Sequence, residues 1–327
     1  MGQRRKSLSG FKGNVEERYE IAGINARGAS LFTDAYRRWQ SGLAKTIPWD
    51  EIGAPDEGEL VEFDDLEGHG AEGLDRFGEL VWIILNGGLG TSMEVTHAKS
   101  LLKVKGEENF LDLVMDFLSK VLSRTGKKIP LMLMNSPATR RDSLAAMEKY
   151  GDITGDERLP MDFLQNFFPR VVEEDGSLFG EPADAESWAP PGHGDLYEAI
   201  YGSGVLDKLL ESGKRWAFIS NADNMGAAPS PRLLGYISSR SIPFVMEVTA
   251  RTEADVKGGT LVKRGGRLSL LEIAQVPDEH VKEFQDIKCF EVFNTNNLWV
   301  DLRALKERMD SDGVELPLII NRKVVEG

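Results

Sequence analysis

The sequence predicts an α/β fold, a doubly wound mixed sheet that is mostly parallel, with a helical N-terminal extension. Two observations lead there. Apolar runs at 80–85, 131–135, 216–220 and 244–249 read as buried strands, and helical patterns occupy roughly 110–123 and 142–149. Strands alternating with helices favour a parallel sheet covered on both faces. In addition, polar motifs close the first three runs: 86–90, Met134-Asn135-Ser136, and Asn221-Ala222-Asp223-Asn224. Open α/β sheets bind ligands at the carboxyl ends of their strands, and a buried polar group without a partner is costly, so a ligand accounts for the motifs.

Taken in order, residues 1–13 are expected to be disordered. Ile21, Ile24, Ala29, Leu31, Phe32, Tyr36, Trp39 and Leu43 recur at helical spacing and predict one or two helices across 14–45. Residues 46–79 are rich in Gly, Asp and Glu and read as an acidic linker. The expected division is 1–65 for the extension and linker and 66–327 for the main domain. Beyond the four core strands come shorter ones at 259–262, 268–273 and 291–300. Gly265-Gly266 turns the first into the second, which suggests an antiparallel insertion on the α/β sheet. No internal repeat appears.

The chain has 327 residues, 41% of them hydrophobic, enough for one large domain or two ordinary ones. A net charge of −14 argues against nucleic acid or an anionic membrane as the main partner. A single cysteine, Cys289, excludes an internal disulfide and fits a reducing cytosol, so a cytoplasmic location is expected. No apolar run reaches membrane-spanning length, and the basic start MGQRRKSLSG lacks the apolar stretch of a signal peptide. Met1-Gly2 with Ser7 matches a myristoylation signal poorly.

The most informative stretch is 80–102, LVWIILNGGLGTSMEVTHAKSLL. A strand runs into Asn86-Gly87-Gly88-Leu89-Gly90, and Lys99 follows nine residues after Gly90. Glycines let backbone N–H groups approach an anion, and a lysine adds a mobile positive charge, which together suit phosphates. The spacing is not that of a P-loop, and a dinucleotide fingerprint needs glycine where Met93 stands. On the loop alone, a plain glycine turn after a core strand accounts for the pattern equally well. Asp223, just beyond an apolar strand, is the candidate ligand for Mg²⁺, which takes one or two carboxylates plus substrate phosphate oxygens. By itself it reads more readily as a turn carboxylate satisfied by nearby backbone N–H groups.

LNGGLGTSM followed by KSL resembles the nucleotide-binding loop of the UTP–glucose-1-phosphate uridylyltransferases, or UDP-glucose pyrophosphorylases. Further segments resemble the same family in the same order: LMLMNS, FLQNFFPR, PPGHGDLY, FISNADNMGA, FVMEVTARTEADVKGGTL, LLEIAQVP and FNTNNLWV. The resemblance covers most of 80–302. It implies a nucleotide-diphospho-sugar transferase domain at 66–327. The implied reaction joins UTP and glucose 1-phosphate into UDP-glucose and pyrophosphate, with Mg²⁺ as cofactor. Lys99 and Asp223 are the implied catalytic residues, Asp223 also holding the metal. Leu85, Gly87, Gly88, Gly90, Met134, Gln165, Gly192, His193 and Asn221 would contact the nucleotide, with Gln165 and Met134 at the uracil; Met134, beside Met132, reads strongly as core packing as well. Gly259, Glu272, Phe293, Asn294, Asn296 and Lys257 would face the sugar. A homo-oligomer is possible.

Two departures stand out. Glu94 occupies a loop position where the family usually has Gly. Family members also continue past the equivalent of Gly327 with a late lysine that contacts the phosphates and a C-terminal β-helix, so a shortened catalytic domain is expected. TSM in the loop and the FNTNN segment favour glucose over the alternatives, a UDP-sugar or UDP-N-acetylhexosamine pyrophosphorylase. An inactive nucleotide-sugar-binding fragment is the alternative of a different class.

Overall fold

The structure, a computed structural model, describes residues 8–42, 46–56, 58–88, 98–256 and 258–324. Two helices, α1 (Leu8–Ala22) and α2 (Arg27–Gln40), come first, then a short strand β1 (Ile52–Gly53) and a small helix α3 (Gly70–Asp75). The alternating part opens with β2 (Leu80–Asn86), the ribbon β3 (Lys103–Lys105) and β4 (Glu108–Asn109), and α4 (Phe110–Thr125). It goes on through β5 (Leu131–Asn135), α5 (Pro137–Glu148), α6 (Gly151–Thr154) and β6 (Asp162–Leu164). Next come β7 (Phe168–Pro169), β8 (Trp188–Ala189), α7 (Asp195–Gly202), α8 (Val205–Glu211), β9 (Trp216–Asn221), α9 (Pro231–Arg240) and β10 (Phe244–Ala250). The chain then makes β11 (Thr260–Arg264), β12 (Arg267–Leu271), α10 (Val281–Phe284), β13 (Val292–Asp301) and α11 (Leu302–Asp310).

The central sheet has six strands in the order β10-β13-β9-β2-β5-β6. The pairings β9–β2, β2–β5 and β5–β6 are parallel, and β13 runs antiparallel to both its neighbours. Side chains alternate across it as a pleated strand requires. Leu80, Trp82, Ile84, Trp216, Phe218 and Trp299 point to one face, where they meet α4 and α9 through Leu111, Met115, Leu118, Leu233 and Leu234. Val81, Ile83, Met132, Met134, Ala217 and Ile219 point to the other, against Leu196, Ile200 and Leu206 of α7 and α8 and Leu305 of α11. Both faces are therefore buried, as the near-continuous apolar runs imply.

Local chemistry sets the helix ends. Asn109 caps α4 by accepting from the Asp112 N–H while the Asp112 carboxylate accepts from the Asn109 N–H, and Gly126 ends the helix at φ +66°. Ser136 caps α5, with Pro137 at the first helical position.

The expected core strands and helices are present, most with one or two residues added at the ends. The hairpin β11–β12 is antiparallel and joins β1 in a separate three-stranded sheet. The N-terminal extension forms two helices, packed through Val15, Tyr19, Ala29, Phe32 and Tyr36 against Trp188, Phe167 and Phe168. Helix α1 already begins at Leu8, earlier than the expected end of disorder at 13.

The acidic linker expected at 46–79 is a correction. Ile52 pairs with Arg264, and Leu66 and Phe77 enter the main core. Glycines serve close packing here: a Cβ on Gly73 of α3 would fall 1.7 Å from the Pro231 carbonyl oxygen, and one on Gly235 of α9 would fall 2.1 Å from that of His69. Helices α3 and α9 thus touch backbone to backbone. Gly73→Ala is expected to destabilise the protein by about 1–3 kcal/mol through overpacking, read as a lower urea midpoint at unchanged m-value. An unshifted midpoint would show that the contact yields freely.

Candidate functional site

The parallel register brings the strand ends side by side. Leu85 of β2 stands opposite Met134 of β5 and Asn221 of β9, and Met134 stands opposite Phe163 of β6. The polar residues that follow these positions form one continuous edge.

At one end of that edge lies Gln165. Its backbone N–H donates to the Asn135 carbonyl at 2.9 Å, extending the β5–β6 pairing by one step. Its side-chain amide rests on Gly87, where a Cβ would meet Gln165 Oε1 at 2.1 Å. Any other residue at Gly87 would displace the amide. Beneath, the buried Asn86 amide donates to Asn135 Oδ1 at 2.7 Å and Ser143 Oγ at 2.8 Å, while Asn135 donates to Asp162 Oδ2 at 3.1 Å. These bonds fix the base of the glycine turn.

At the centre, Lys99 Nζ lies 2.8 Å from Asp223 Oδ2, joining the segment after the glycine loop to the loop after β9. Both side chains keep about a third of their surface exposed, 32% and 36%, so each remains available to a ligand. Asn296 stands beside them with an unusual backbone, φ +57°. The β10–β13 register slips between Glu247 and Val248, which pair with Asn297 and Asn294, so Thr295 and Asn296 bulge outward. The Asn294 carboxamide accepts from the Asn296 N–H at 2.9 Å, and the Thr295 hydroxyl donates to the Glu247 carbonyl at 2.8 Å. The bulge aims the Asn296 amide at Asn221 Oδ1, 2.8 Å away, and at His193 Nδ1, 2.9 Å away. With Asn296 donating to Nδ1, the neutral imidazole carries its proton on Nε2.

His193 sits in the turn after Pro190-Pro191, with Gly192 at φ +103°. The ring keeps an accessible face, yet the protein crowded around it desolvates it enough to lower its pKa. Asp223 opposes this and Lys99 reinforces it.

At the far end, Gly259 lies under Glu272, whose Oε1 would be 2.6 Å from a Cβ there, and the Phe293 ring covers Gly258. The Asn294 N–H donates to the Gly259 carbonyl at 2.9 Å. Glu272 is half-buried, and that burial raises its pKa.

The edge therefore unites Gly87, Gln165, Asn221, Asp223, Lys99, His193, Asn296, Asn294, Phe293, Gly259 and Glu272, with Gly88 exposed beside them. Leu85 is half-buried at the end of β2. Met134 differs: it is only 3% exposed and packs inside the core. Gly90, Glu94 and Lys257 lie outside the described residues. No group of three or more His, Cys, Asp or Glu side chains able to hold a metal occurs among the described residues.

Three supporting residues escaped sequence reasoning. Arg251, 6% exposed, donates to the carbonyls of Phe284 at 2.8 Å, Gly258 at 3.2 Å and Val256 at 3.3 Å, and so ties down the loop before Gly259. Glu247 accepts from Trp299 Nε1 at 2.6 Å and Asn297 Nδ2 at 3.1 Å, behind the bulge. Asp195 accepts twice from Asn166. The only local signal was an Arg or Glu amid an apolar strand pattern, and an acid opening a helix.

The family model of the UTP–glucose-1-phosphate uridylyltransferases matches residues 29–327. The chain belongs to that family. The potato (Solanum tuberosum) uridylyltransferase is 40% identical over 315 residues, 94% of this chain and 65% of its own length. The enzyme of Saccharomyces cerevisiae is 38% identical over 302 residues, 90% of this chain and 59% of its own. The chain thus spans about two thirds or less of these curated relatives. Among solved structures, the UDP-glucose phosphorylase of Trypanosoma brucei superposes with a TM-score of 0.84 at 34% identity, covering 94% of this chain and 66% of that one. A mutant Leishmania major UDP-glucose pyrophosphorylase, solved in complex with UDP-glucose, gives 0.84 at 33% identity, covering 95% and 67%. The uridylyltransferase-family fold is the mixed, mostly parallel α/β sheet that the sequence predicts.

The opposed influences on His193 give a direct check. Replacing Asp223 by Asn removes the anion that favours the imidazolium, so the His193 pKa is expected to fall further. Replacing Lys99 by Ala removes a repelling cation and is expected to raise it. Imidazole NMR titrations of the two variants should move in opposite directions from the parent; movement in the same direction would contradict the arrangement.

Proposed function

We propose that the chain joins UTP and glucose 1-phosphate to give UDP-glucose and pyrophosphate. The observation that carries this reading is that the carboxyl-end edge of the central sheet, with the loops beside it, gathers Gly87, Gln165, Asn221, Asp223, Lys99, His193 and Asn296, and that Asn294 links it to Gly259 and Glu272. Uracil meets the Gln165 amide, which both donates and accepts, with Met134 behind it in the core. The phosphates lie over Gly87, Gly88 and Gly90, with Lys99 as counter-charge, and Gly192, His193 and Asn221 bind phosphate or ribose. Glucose hydroxyls meet Glu272, Asn294 and Asn296, beside Gly259, Phe293 and Lys257.

A phosphate oxygen of the sugar phosphate attacks the α-phosphorus of UTP in line, and the bond to the pyrophosphate oxygen breaks. The attacking group is already anionic, so no general base is required. Catalysis is then positioning and charge stabilisation by Lys99, loop amides and the protonated Nε2 of His193. One exposed carboxylate suits a hard divalent cation held mainly by substrate oxygens, so Asp223 fits Mg²⁺, which would neutralise phosphate charge. Lys99 exchanges its bond to Asp223 for the phosphates as nucleotide enters.

No helix of the described residues is long and apolar enough to cross a membrane. The free, exposed Cys289 suits a reducing compartment, and we assign the protein to the cytoplasm.

Pyrophosphate release with UTP and a panel of sugar 1-phosphates tests the reading, with glucose 1-phosphate expected to be preferred. Lys99→Ala is expected to lower turnover by about 10²–10³ while leaving the thermal midpoint of the free protein nearly unchanged, because its ion pair lies partly open to solvent. Normal catalytic efficiency in that variant would remove Lys99 from the site.

A further inference from the structure

We propose that Asp195 and Tyr19 form a two-point clamp that positions Gln165, and through it set the preference for uracil. The proposal rests on the functional reading above.

Gln165 lies on the short segment between β6 and β7. Past its own N–H the ladder stops, so residues 166–167 need other partners. Asn166 finds both of its own on one side chain: its backbone N–H donates to Asp195 Oδ2 at 2.6 Å and its amide to Asp195 Oδ1 at 2.7 Å. Phe167 presents its carbonyl oxygen to the Tyr19 hydroxyl. The two residues that follow Gln165 are thus fixed from separate elements, by Asp195 of α7 and Tyr19 of α1.

Both clamp residues are buried, Asp195 at 7% exposure and Tyr19 at 0%. Burying a carboxylate without a cation is costly. Among the described residues, the hydrogen bonds to the Asp195 carboxylate come from Asn166 alone, and the charge it feels is the repelling Glu198. A carboxylate kept at that cost, with both oxygens spent on the residue next to Gln165, serves placement more than stability. Gly28 completes the arrangement, since a Cβ there would fall 2.7 Å from the Tyr19 ring and 3.2 Å from the Phe167 carbonyl. Only a glycine lets α2 press Tyr19 onto that oxygen.

Asp195 also couples two nucleotide contacts. Its own N–H donates to the Gly192 carbonyl at 3.1 Å, closing the turn that carries His193. One buried residue thereby fixes the distance between the uracil amide of Gln165 and the imidazole of His193. Shifts of about 1 Å at such a point are enough to lose alignment.

The test compares UTP with CTP, which differ at the pyrimidine edge, by kcat/KM, with UDP-glucose calorimetry alongside. Asp195→Asn keeps the shape but turns one acceptor toward a donor. It is expected to reduce the UTP-over-CTP preference about tenfold (about 1.4 kcal/mol), with KM for UTP rising more than kcat falls. In a Gln165→Ala background, where the amide is gone, the same substitution should add no further loss of preference. A folded Asp195→Asn with unchanged preference, or losses that add in the double variant, would overturn the clamp. Should Asp195→Asn fail to fold, Tyr19→Phe decides the matter on the same readout, since it removes only the hydroxyl. A parent chain that binds neither UTP nor UDP-glucose would instead sink the functional reading and the clamp with it.

Discussion

Leu85 stands opposite Met134 on one side and Asn221 on the other, and that double parallel register brings the site into existence. Parallel strands end together, so their carboxyl ends deliver Asn86–Gly87, Asn135 and Asn221 to one edge without any loop having to reach. The seven residues of β2, nearly all of them buried, hold that edge rigid. A slip of one residue would turn Trp82 and Ile84 toward the helices meant for Val81 and Ile83, so the register is fixed by the core and not by the ligand.

The antiparallel strand β13 completes the edge by a different device. Strands running the other way present their beginnings there, and an unbroken ladder would spend Asn296 on pairing. The bulge takes Thr295 and Asn296 out of the ladder, while Asn294 stays paired with Val248. A left-handed backbone at a non-glycine residue is strained by about 1–3 kcal/mol. Here it is held by the Asn294 carboxamide and by Glu247. The result is an amide that touches Asn221 and His193 at once and fixes which ring nitrogen faces outward.

The segments before β2 contribute more than composition suggests. Helices α1 and α2 carry a cluster of aromatic side chains onto the strip from Phe167 to Trp188, and Arg18 donates to the carbonyls of Phe179 and Gly180 at 2.5 and 2.7 Å. The acidic stretch after them closes the small sheet and packs against α9. These elements brace the loops that bear Gln165 and Gly259, so the extension and the central sheet support the same site from two sides.

What the sequence determined by itself was whatever is local. Apolar periodicity marked the strands and main helices, because burial on a strand or helix repeats every two or 3.6 residues. The loop LNGGLG and the motifs at strand ends marked the edge, because close approach to an anion needs glycine wherever it occurs. Only the tertiary structure decided the rest. Gly73 reads as part of a glycine-rich linker until α3 is seen to meet Gly235 of α9 through it. Asp195 and Arg251 read as ordinary charges until their buried partners, 29 and 33 residues away, are known. For Met134 the sequence left core packing and a uracil contact both open, and the alternation of β5 settles it in the core. Each of these depends on which distant backbone lies alongside, and no short window of sequence holds that information.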